Sequence, residues 1–415
     1  MATSRSSMIV VFAIVLIDIM GFGVLLPILP QLVQQMVGGE VAKASTIYGF
    51  LVASFSLMNF LFSPLLGALA DRFGRRPVLL MSLAGLSVDY LILAMAPSIG
   101  WLFLGRIIAG IFSATLPVTS AFVADTRPPA ERAAAFGYIG VGIGVGFIIG
   151  PLFGGLLGEV SARLPFWAAA GLAFANFVWA WWALPESLKP ENRHPLRLAD
   201  ANPVSAVIAV ARTRVIAVLL IVCVLMNLAA RMLESTWVLY ARYRFGWGAF
   251  EVGVTLAVFG LIFAGGQGFL VGRLARWIGE WRTLVIGLAI GAGSFVIFAL
   301  TTAAWAMYVT ILPYGIATAI SGPSLQALAT RATPVNKQGL LQGALASLIT
   351  ATGAVGPPIG AYLFGHFVGE EAALDLPGIA FIAGAGLLFL ALAVMLVQRK
   401  YIPHDTVAPA RGGGQ

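Results

Sequence analysis

The chain has 415 residues, of which 60% are hydrophobic and 10% charged, and its formal net charge is +8. Apolar runs repeatedly exceed the roughly 18 residues that mark a candidate membrane-spanning helix, which excludes an ordinary soluble domain. The positive charge does not indicate a nucleic-acid-binding protein, because that class needs a basic face on a soluble domain.

Charged and turn-forming clusters divide the sequence into twelve apolar segments. Each segment is long enough to form a helix that satisfies its own backbone hydrogen bonds in lipid. The predicted fold class is therefore all-α integral membrane, with twelve transmembrane helices. The predicted spans are 8–30, 46–69, 77–97, 99–124, 134–158, 165–184, 215–240, 252–272, 283–302, 304–327, 339–364 and 376–397.

Lysine and arginine are distributed unequally between the two sets of loops. Nineteen lie in the loops and tails on the side of the termini, whereas Lys43, Arg163, Arg242 and Arg244 lie on the other side. Because cytoplasmic loops carry an excess of Lys and Arg, both termini are predicted to be cytoplasmic.

The longest polar stretch, which starts at Pro185, lies midway along the chain and reads as a linker. Three motifs recur in the same order at an offset of about 205 residues, which indicates two parallel six-helix repeats. The predicted domains are a six-helix bundle over 1–184, a cytoplasmic linker over 185–214, a second six-helix bundle over 215–398, and a cytoplasmic tail over 399–415.

Charges are inverted between the repeats at three aligned positions. This pattern suggests attraction between the cytoplasmic faces of the two halves; ordinary loop charges are the open alternative. The aligned pairs are Asp71 with Arg276, Arg75 with Glu280, and Asp125 with Arg331.

Five ionisable residues lie within predicted spans: Asp18, Asp89, Arg106, Arg231 and Glu234. A charged side chain at the bilayer centre costs about 2.5–3.5 kcal/mol on insertion scales, so each needs an explanation. Asp18 lies near mid-membrane, and Asp89 and Arg106 lie at similar depth on adjoining antiparallel helices. A movement of either aspartate relative to Arg106 would bind and release a proton, whereas a permanent ion pair is the alternative.

Two motifs indicate conformational roles. In "GALADRFGRRP", Gly67 and Gly74 are predicted to allow close helix approach and a tight turn, while Asp71 accepts hydrogen bonds from freed amides or Arg75. In the fifth span, glycines recur every four residues at Gly142, Gly146 and Gly150 and predict a face that admits a neighbouring backbone. Pro151 follows, so this segment is either a hinge between the halves or simple packing.

These motifs resemble those of the major facilitator superfamily, with further likeness in "LGRIIAGIFSA", "VDYLILA" and "QGALASLITATGAVGP". Over nearly the whole chain the pattern is similar to twelve-span drug/proton antiporters, and most similar to tetracycline/proton antiporters. The motif residues are Gly67, Asp71, Gly74, Arg75 and Arg76 in the loop, and Gly146, Gly150, Pro151, Gly154 and Gly155 in the fifth span.

The resemblance implies proton-coupled export of an amphipathic drug by alternating access. It implies roles for Asp18, Asp89 and Arg106, because matching residues are functionally important in the family. We expect a multi-pass monomer in a bacterial-type cytoplasmic (inner) membrane, with lipid, protons and a small amphipathic substrate as its partners. We expect no cofactor, no metal and no nucleic acid.

The second half departs from the tetracycline-antiporter pattern. Gly291 occupies the position of an acidic residue in the ninth span, and Phe263 that of a histidine in the eighth. Arg231 and Glu234 lie three residues apart on one helix face, so Glu234 is a candidate substitute that binds a proton or a cationic substrate while Arg231 modulates it. A local ion pair is the alternative.

Polar and aromatic side chains in the spans are candidate substrate contacts, although most of them also suit helix packing. Besides Arg231 and Glu234, the predicted substrate-binding residues are Asn59, Asn227, Phe263, Gln267 and Gln326.

Three other function classes stay open on the sequence alone. A sugar, lipid or metabolite transporter would share the architecture, as would a membrane sensor without flux. A membrane enzyme is disfavoured, because no zinc-ligand pair, nucleophile elbow or phosphate loop occurs in a suitable context.

Overall fold

A computed structural model of the protein describes residues 2–193, 207–208, 210–211, 213–369, 372 and 374–401. These residues form helices with short connections, and no β-strand occurs among them. Within this part of the chain, twelve helical stretches are long and apolar enough to cross a membrane. The predicted fold class is confirmed.

Fourteen α-helices follow one another in chain order among the described residues. They are α1 Ala2–Met36, α2 Val41–Phe73, α3 Arg75–Met95, α4 Ile99–Phe112, α5 Thr115–Thr126, α6 Pro129–Val160, α7 Leu164–Ala183, α8 Arg214–Phe245, α9 Ala249–Gly265, α10 Val271–Ile278, α11 Glu280–Leu300, α12 Ala304–Arg331, α13 Gln338–His366 and α14 Ile379–Val397.

An even number of spans leaves both ends of the chain on one side of the membrane, here called the terminal side, and the other is the far side. Several helices extend beyond the predicted apolar segments. Helix α1 continues past Pro27 and Pro30 to Met36, because proline is tolerated in membrane helices where neighbours satisfy the freed backbone groups.

Two spans are not continuous α-helices. The fourth is interrupted at Ser113 and Ala114, between α4 and α5. The eighth contains a π-helical turn, Gly266–Leu270, between α9 and α10. Such turns occur frequently at functional positions.

The chain divides into two compact units. Unit 1 comprises Met1–Asn202, Glu234–Gly260 and Gly353–Pro377, and unit 2 comprises Pro203–Leu233, Leu261–Thr352 and Gly378–Gln415. These units describe packing, and the sequence-based domain boundaries stay a prediction. Part of the predicted linker and most of the predicted tail lie outside the described residues.

Unit 1 is built around the parallel contact of α1 with α6. A Cβ atom at Gly146 would lie 2.8 Å from the carbonyl oxygen of Leu16, and one at Gly150 would lie 2.5 Å from that of Met20. Only glycine permits two backbones to approach this closely. The predicted glycine face is thus present, and its neighbour is the helix that carries Asp18.

Unit 2 has an aromatic core where α11 packs against α12 and α14. Phe295 and Phe298 contact Tyr314 edge-on, with ring centroids 5.6 and 5.7 Å apart, and Phe381 closes the cluster. Gly291 lies in this packed region, where a Cβ would meet Leu388 at 3.5 Å. An acidic side chain at position 291 would therefore enter an apolar interior.

Candidate functional site

Asp18 lies midway along α1 and is partly buried. The Thr115 hydroxyl donates a hydrogen bond to its carboxylate, and the Tyr90 hydroxyl lies within electrostatic range. Thr115 is the first residue after the break in the fourth span. The interruption of that span therefore lies next to the membrane carboxylate.

Asp89 and Arg106 form a buried ion pair between α3 and α4. Asp89 is 0% exposed and Arg106 is 5% exposed, and the Arg106 Nε donates to Asp89 Oδ1 at 3.3 Å. The guanidinium also lies over the Phe55 ring, 5.6 Å from its centroid. The pairing expected from their similar depth is thus present.

Glu234 lies on α8 with an exposed residue surface. It is within electrostatic range of the buried Tyr48 phenol on α2, and Tyr48 is in turn within range of Arg106. Tyr48 is therefore within electrostatic range of both Glu234 and Arg106. Sequence reasoning missed Tyr48, because a tyrosine in an apolar run looks like a packing residue.

Three predicted polar contacts of unit 2 have neighbours in the structure. The Asn227 amide donates to the Cys223 carbonyl oxygen at 2.9 Å. The Gln326 amide donates to Gln342 at 2.9 Å. Arg231 is partly buried on α8 and makes contacts of its own.

Three other predicted substrate contacts differ in exposure. Asn59, on α2, is partly buried, as is Phe263 on α9. Gln267 is exposed and lies within the π-helical turn, so its side chain projects from an irregular part of the eighth span.

The loop after the second span holds a cluster of charges on the terminal side. Arg75 contacts Asp71 through Nη1 at 2.5 Å and Asp125 through Nε at 3.0 Å. Gly74 has φ = +112°, a conformation that favours glycine, so the predicted tight turn is present. The charges tie together the ends of α2, α3 and α5.

One prediction for this loop is wrong. Among the described residues, no atom apart from the local backbone of its own helix lies within 4 Å of the position that a Cβ at Gly67 would occupy. Gly67 therefore does not mediate a close helix approach in this structure. The glycine spacing in the sequence suggested contact, but spacing alone does not show whether a neighbour packs there.

Glu186 is a residue that the sequence interpretation missed. Its carboxylate accepts hydrogen bonds from the backbone N–H groups of Arg75 at 2.9 Å and Arg76 at 3.3 Å. It thereby satisfies two of the free amides at the start of α3, where a negative charge is also favourable. In the sequence Glu186 was read only as part of a polar linker.

Unit 2 contains an ion pair with the inverted charges. Glu280, at the start of α11, contacts Arg331, at the end of α12, at 2.5 Å. Arg75 and Asp125 occupy the aligned positions in unit 1. Each of these ion pairs thus forms within its own unit. Attraction between the cytoplasmic faces of the two halves stays a hypothesis.

The second face of α6 packs against the start of α9 within unit 1. A Cβ at Gly155 would lie 2.6 Å from the Ala249 carbonyl oxygen, and one at Gly253 would lie 2.5 Å from that of Pro151. Glu159 accepts a hydrogen bond from the Phe250 N–H at 3.2 Å. The fifth span therefore contacts both α1 and α9 at backbone distance.

In the described part of the chain, no group of three His, Cys, Asp or Glu side chains is arranged to hold a metal ion.

Comparison with known proteins agrees with this architecture. The family model described as Major Facilitator Superfamily matches residues 11–348. The chain belongs to the Major Facilitator Superfamily. As a member of it, the chain is a multi-pass membrane transporter with a small-molecule substrate.

Curated relatives extend over nearly the whole chain. "Tetracycline resistance protein, class C" of Escherichia coli is 38% identical over 394 residues, which cover 94% of this chain and 97% of the relative. The class B protein of Escherichia coli is 36% identical over 87% of this chain and 89% of the relative. "Multidrug resistance protein 1" of Bacillus subtilis (strain 168) is 30% identical over 84% and 87%. The prediction of a drug-efflux transporter resembling this group is confirmed.

Solved structures give the same fold. The human organic anion transporter MFSD10 (TETRAN) has a TM-score of 0.69 and 26% identity, covering 94% of this chain and 99% of that chain. The nucleoside transporter NupG has a TM-score of 0.77 at 15% identity, covering 97% of this chain and 100% of that chain, which shows the fold alone.

Proposed function

We propose that this transporter exports a tetracycline-like amphipathic drug from the cytoplasm in exchange for protons, with Asp18 as a proton-binding group. The observation that carries the proposal is the position of Asp18 midway along the first helix, beside Thr115 and Tyr90, on a helix packed at backbone distance against α6. A carboxylate at this depth is retained where it has a function.

The relatives support tetracycline as the first substrate to test. Their names refer to tetracycline resistance at 34–38% identity over most of the chain. Gly291 and Phe263 stand at two positions where the resembling family has an acidic residue and a histidine. A broader range of drugs therefore has to be tested as well as tetracycline. We therefore include a phenicol and a cationic dye.

Glu234 is our candidate for the missing ninth-span charge. It supplies a carboxylate in the neighbourhood of Tyr48 and, through it, of Arg106. A cationic or zwitterionic drug would contact such a carboxylate, while an exchange of protons at Asp18 would drive the conformational cycle.

The proposal includes orientation and assembly. The terminal side faces the cytoplasm of a bacterial cell, the membrane is the inner one, and the protein works as a monomer. The asymmetry of Lys and Arg supports the orientation.

Substrate-dependent proton movement in proteoliposomes tests the function. Tetracycline, chloramphenicol and ethidium are added to vesicles that contain a pH-sensitive dye. We expect a drug-dependent pH change for the parent and a reduction of at least about tenfold in Asp18→Asn, because the amide does not exchange a proton. Glu234→Gln is expected to raise the drug concentration needed for half-maximal exchange.

Glu191→Gln is the matched control. Glu191 is exposed in a short turn, Pro190–Asn192, so the same chemical change should leave exchange unaltered. Unchanged proton movement in Asp18→Asn would contradict the coupling role. Flux of an organic anion or a metabolite without drug exchange would favour the alternative transporter classes.

A further inference from the structure

Three deeply buried polar side chains of unit 1 have no hydrogen-bond partner among the described residues. They are the Tyr90 hydroxyl, the Thr119 hydroxyl and the Asn176 amide, which lacks a partner at both Nδ2 and Oδ1. Each of the three residues is at most 1% exposed. An unpaired buried polar group costs about 1–3 kcal/mol, and buried water commonly satisfies such groups.

Thr119 and Asn176 face one shared core. Phe122 lies three residues after Thr119 on α5, and Ala180 lies four residues after Asn176 on α7, so each is on the same helix face as its polar neighbour. Phe122 and Ala180 both belong to one packed cluster of unit 1. The two polar side chains therefore lie on helix faces that contribute to the same packed cluster.

The same core includes the face of α1 that carries Asp18. Ile14, one turn before Asp18, is fully buried in the cluster. Asp18 accepts a hydrogen bond from Thr115, which lies one turn before Thr119 on α5. Asp18 on α1 therefore contacts the face of α5 that also carries Thr119.

Contacts at both ends of α7 fix its register on α3. The Arg76 Nη2 donates to the Trp181 carbonyl oxygen at 2.6 Å, and the Arg163 Nη2 donates to that of Ala96 at 2.8 Å. The helices run antiparallel, so Asn176, five residues before Trp181, lies level with about residue 81 of α3.

Asp18 lies level with a different part of α3. A Cβ at Gly21 would overlap the Tyr90 hydroxyl, so Asp18, three residues earlier, is level with about residue 87. Asn176 therefore lies roughly 9 Å from the level of Asp18 toward the terminal side. Thr119 lies about 6 Å from Thr115 in the same direction.

We propose that Tyr90, Thr119 and Asn176 line a buried water-binding site in unit 1, and that Asp18 exchanges its proton with the terminal side through this water. The inference rests on the proton exchange proposed above. One O–H bond of the Asp18 carboxyl breaks as a water oxygen gains that proton, and adjoining waters pass it on. Tyr90, Thr119 and Asn176 stay neutral and orient the water.

The charges on the surrounding helices leave this role to Asp18. Asp89 is paired with Arg106, and Arg75 is paired with Asp71 and Asp125. Asp18 lies within electrostatic range of one of the unpartnered groups, the Tyr90 hydroxyl.

Two measurements on the same proteoliposomes separate proton transfer from drug handling. The first is uptake of radiolabelled tetracycline driven by a proton gradient, with ethidium as the probe if tetracycline is not carried. The second is exchange of labelled for unlabelled drug without a gradient, which requires no proton release. We expect Thr119→Val and Asn176→Leu to lower gradient-driven uptake by at least about tenfold while exchange stays within about twofold.

Ser82→Ala and Thr119→Ser are the controls. The Ser82 hydroxyl is buried at the level of Asn176 but already donates to the Val78 carbonyl oxygen at 3.1 Å, so its removal should not affect uptake. Thr119→Ser keeps the hydroxyl and should retain gradient-driven uptake. If one apolar variant does not fold, the other still decides the question.

The outcomes are distinct. Gradient-driven uptake equal to that of Ser82→Ala in the folded apolar variants would overturn the water site, and a raised thermal stability in them would show that the polar groups were dry. If Asp18→Asn alone loses uptake, only this inference fails. If Asp18→Asn also retains uptake, the proposed coupling at Asp18 fails instead.

Discussion

At the scale of single residues, the Asp89–Arg106 pair is the most deeply buried charge arrangement that the structure describes in unit 1. Removing one partner from such a pair leaves a buried charge that nothing neutralises. This differs from an exposed ion pair, whose partners are solvated when separated. The consequence is a strong dependence of stability on the pair.

We expect Asp89→Asn to lower the free energy of unfolding by about 3–5 kcal/mol, because the Arg106 guanidinium then lies unpaired at 5% exposure. Glu131→Gln, in the more exposed Arg127–Glu131 pair at 3.3 Å, is the control and should cost about 0–1 kcal/mol. Thermal unfolding in detergent compares the two variants. Equal losses of stability in the two variants would show that burial does not increase the contribution of the Asp89–Arg106 pair.

A second substitution distinguishes a brace from a proton-handling pair. Combining Asp89→Asn with Arg106→Gln removes both charges and should recover part of the stability. If the double variant is stable yet inactive in drug-dependent proton movement, the pair serves transport as well as folding. If it is stable and active, the pair is a structural brace.

At the scale of helices, the contact between α1 and α6 connects the glycine motif to Asp18. Leu16 and Met20, whose carbonyl oxygens meet the glycines, flank Asp18 on α1. A displacement of α6 would therefore shift the carboxylate directly. The glycine packing and the proposed proton-binding group therefore belong to one helix interface.

We expect Gly146→Ala to destabilise the protein by about 1–3 kcal/mol, because its Cβ would lie 2.8 Å from a backbone oxygen of α1. Gly140→Ala, on the same helix, is the control, since no atom among the described residues lies within 4 Å of the Cβ position there. That variant should be neutral or gain up to about 1 kcal/mol from helix propensity. Thermal unfolding of both variants checks the difference, and a neutral Gly146→Ala would contradict the close approach.

Hydropathy predicted the existence of the twelve spans but not their internal irregularities. The break at Ser113 and Ala114 and the π-helical turn at Gly266–Leu270 lie within segments that are apolar on average, and average apolarity reports burial in lipid rather than backbone geometry. Glu186 was missed for a related reason. Its partners at Arg75 and Arg76 lie more than 100 residues away, and local pattern carries no information on such contacts.

Sequence reasoning identified the candidate site residues that carry a charge within the predicted spans. Asp18, Asp89 and Arg106 stand out because a charge in lipid is costly. Tyr48, Tyr90, Thr119 and Asn176 do not, because hydroxyl and amide side chains are common in membrane helices as packing residues. Only their neighbours in the three-dimensional structure distinguish a packing role from a role at the candidate site.

At the scale of the whole molecule, the repeat preserves an interaction while inverting its charges. Arg75 with Asp125 in unit 1 and Glu280 with Arg331 in unit 2 occupy aligned positions and are separated by 3.0 and 2.5 Å. An ion pair is insensitive to which partner carries which sign, so the repeat conserves the contact between equivalent helix ends.

The orientation of the molecule yields the last prediction. The loop with Lys43 belongs to the sparsely charged set, and Lys189 belongs to the basic set. Both residues are exposed, and the chain's single cysteine, Cys223, is buried, so it can be replaced by serine to give a background for labelling. In intact bacterial cells we expect a membrane-impermeant maleimide to label K43C but not K189C, because the basic loops stay in the cytoplasm. After permeabilisation K189C should label as well, which serves as the control for its accessibility. Labelling of K189C in intact cells would reverse the orientation and, with it, the direction of export.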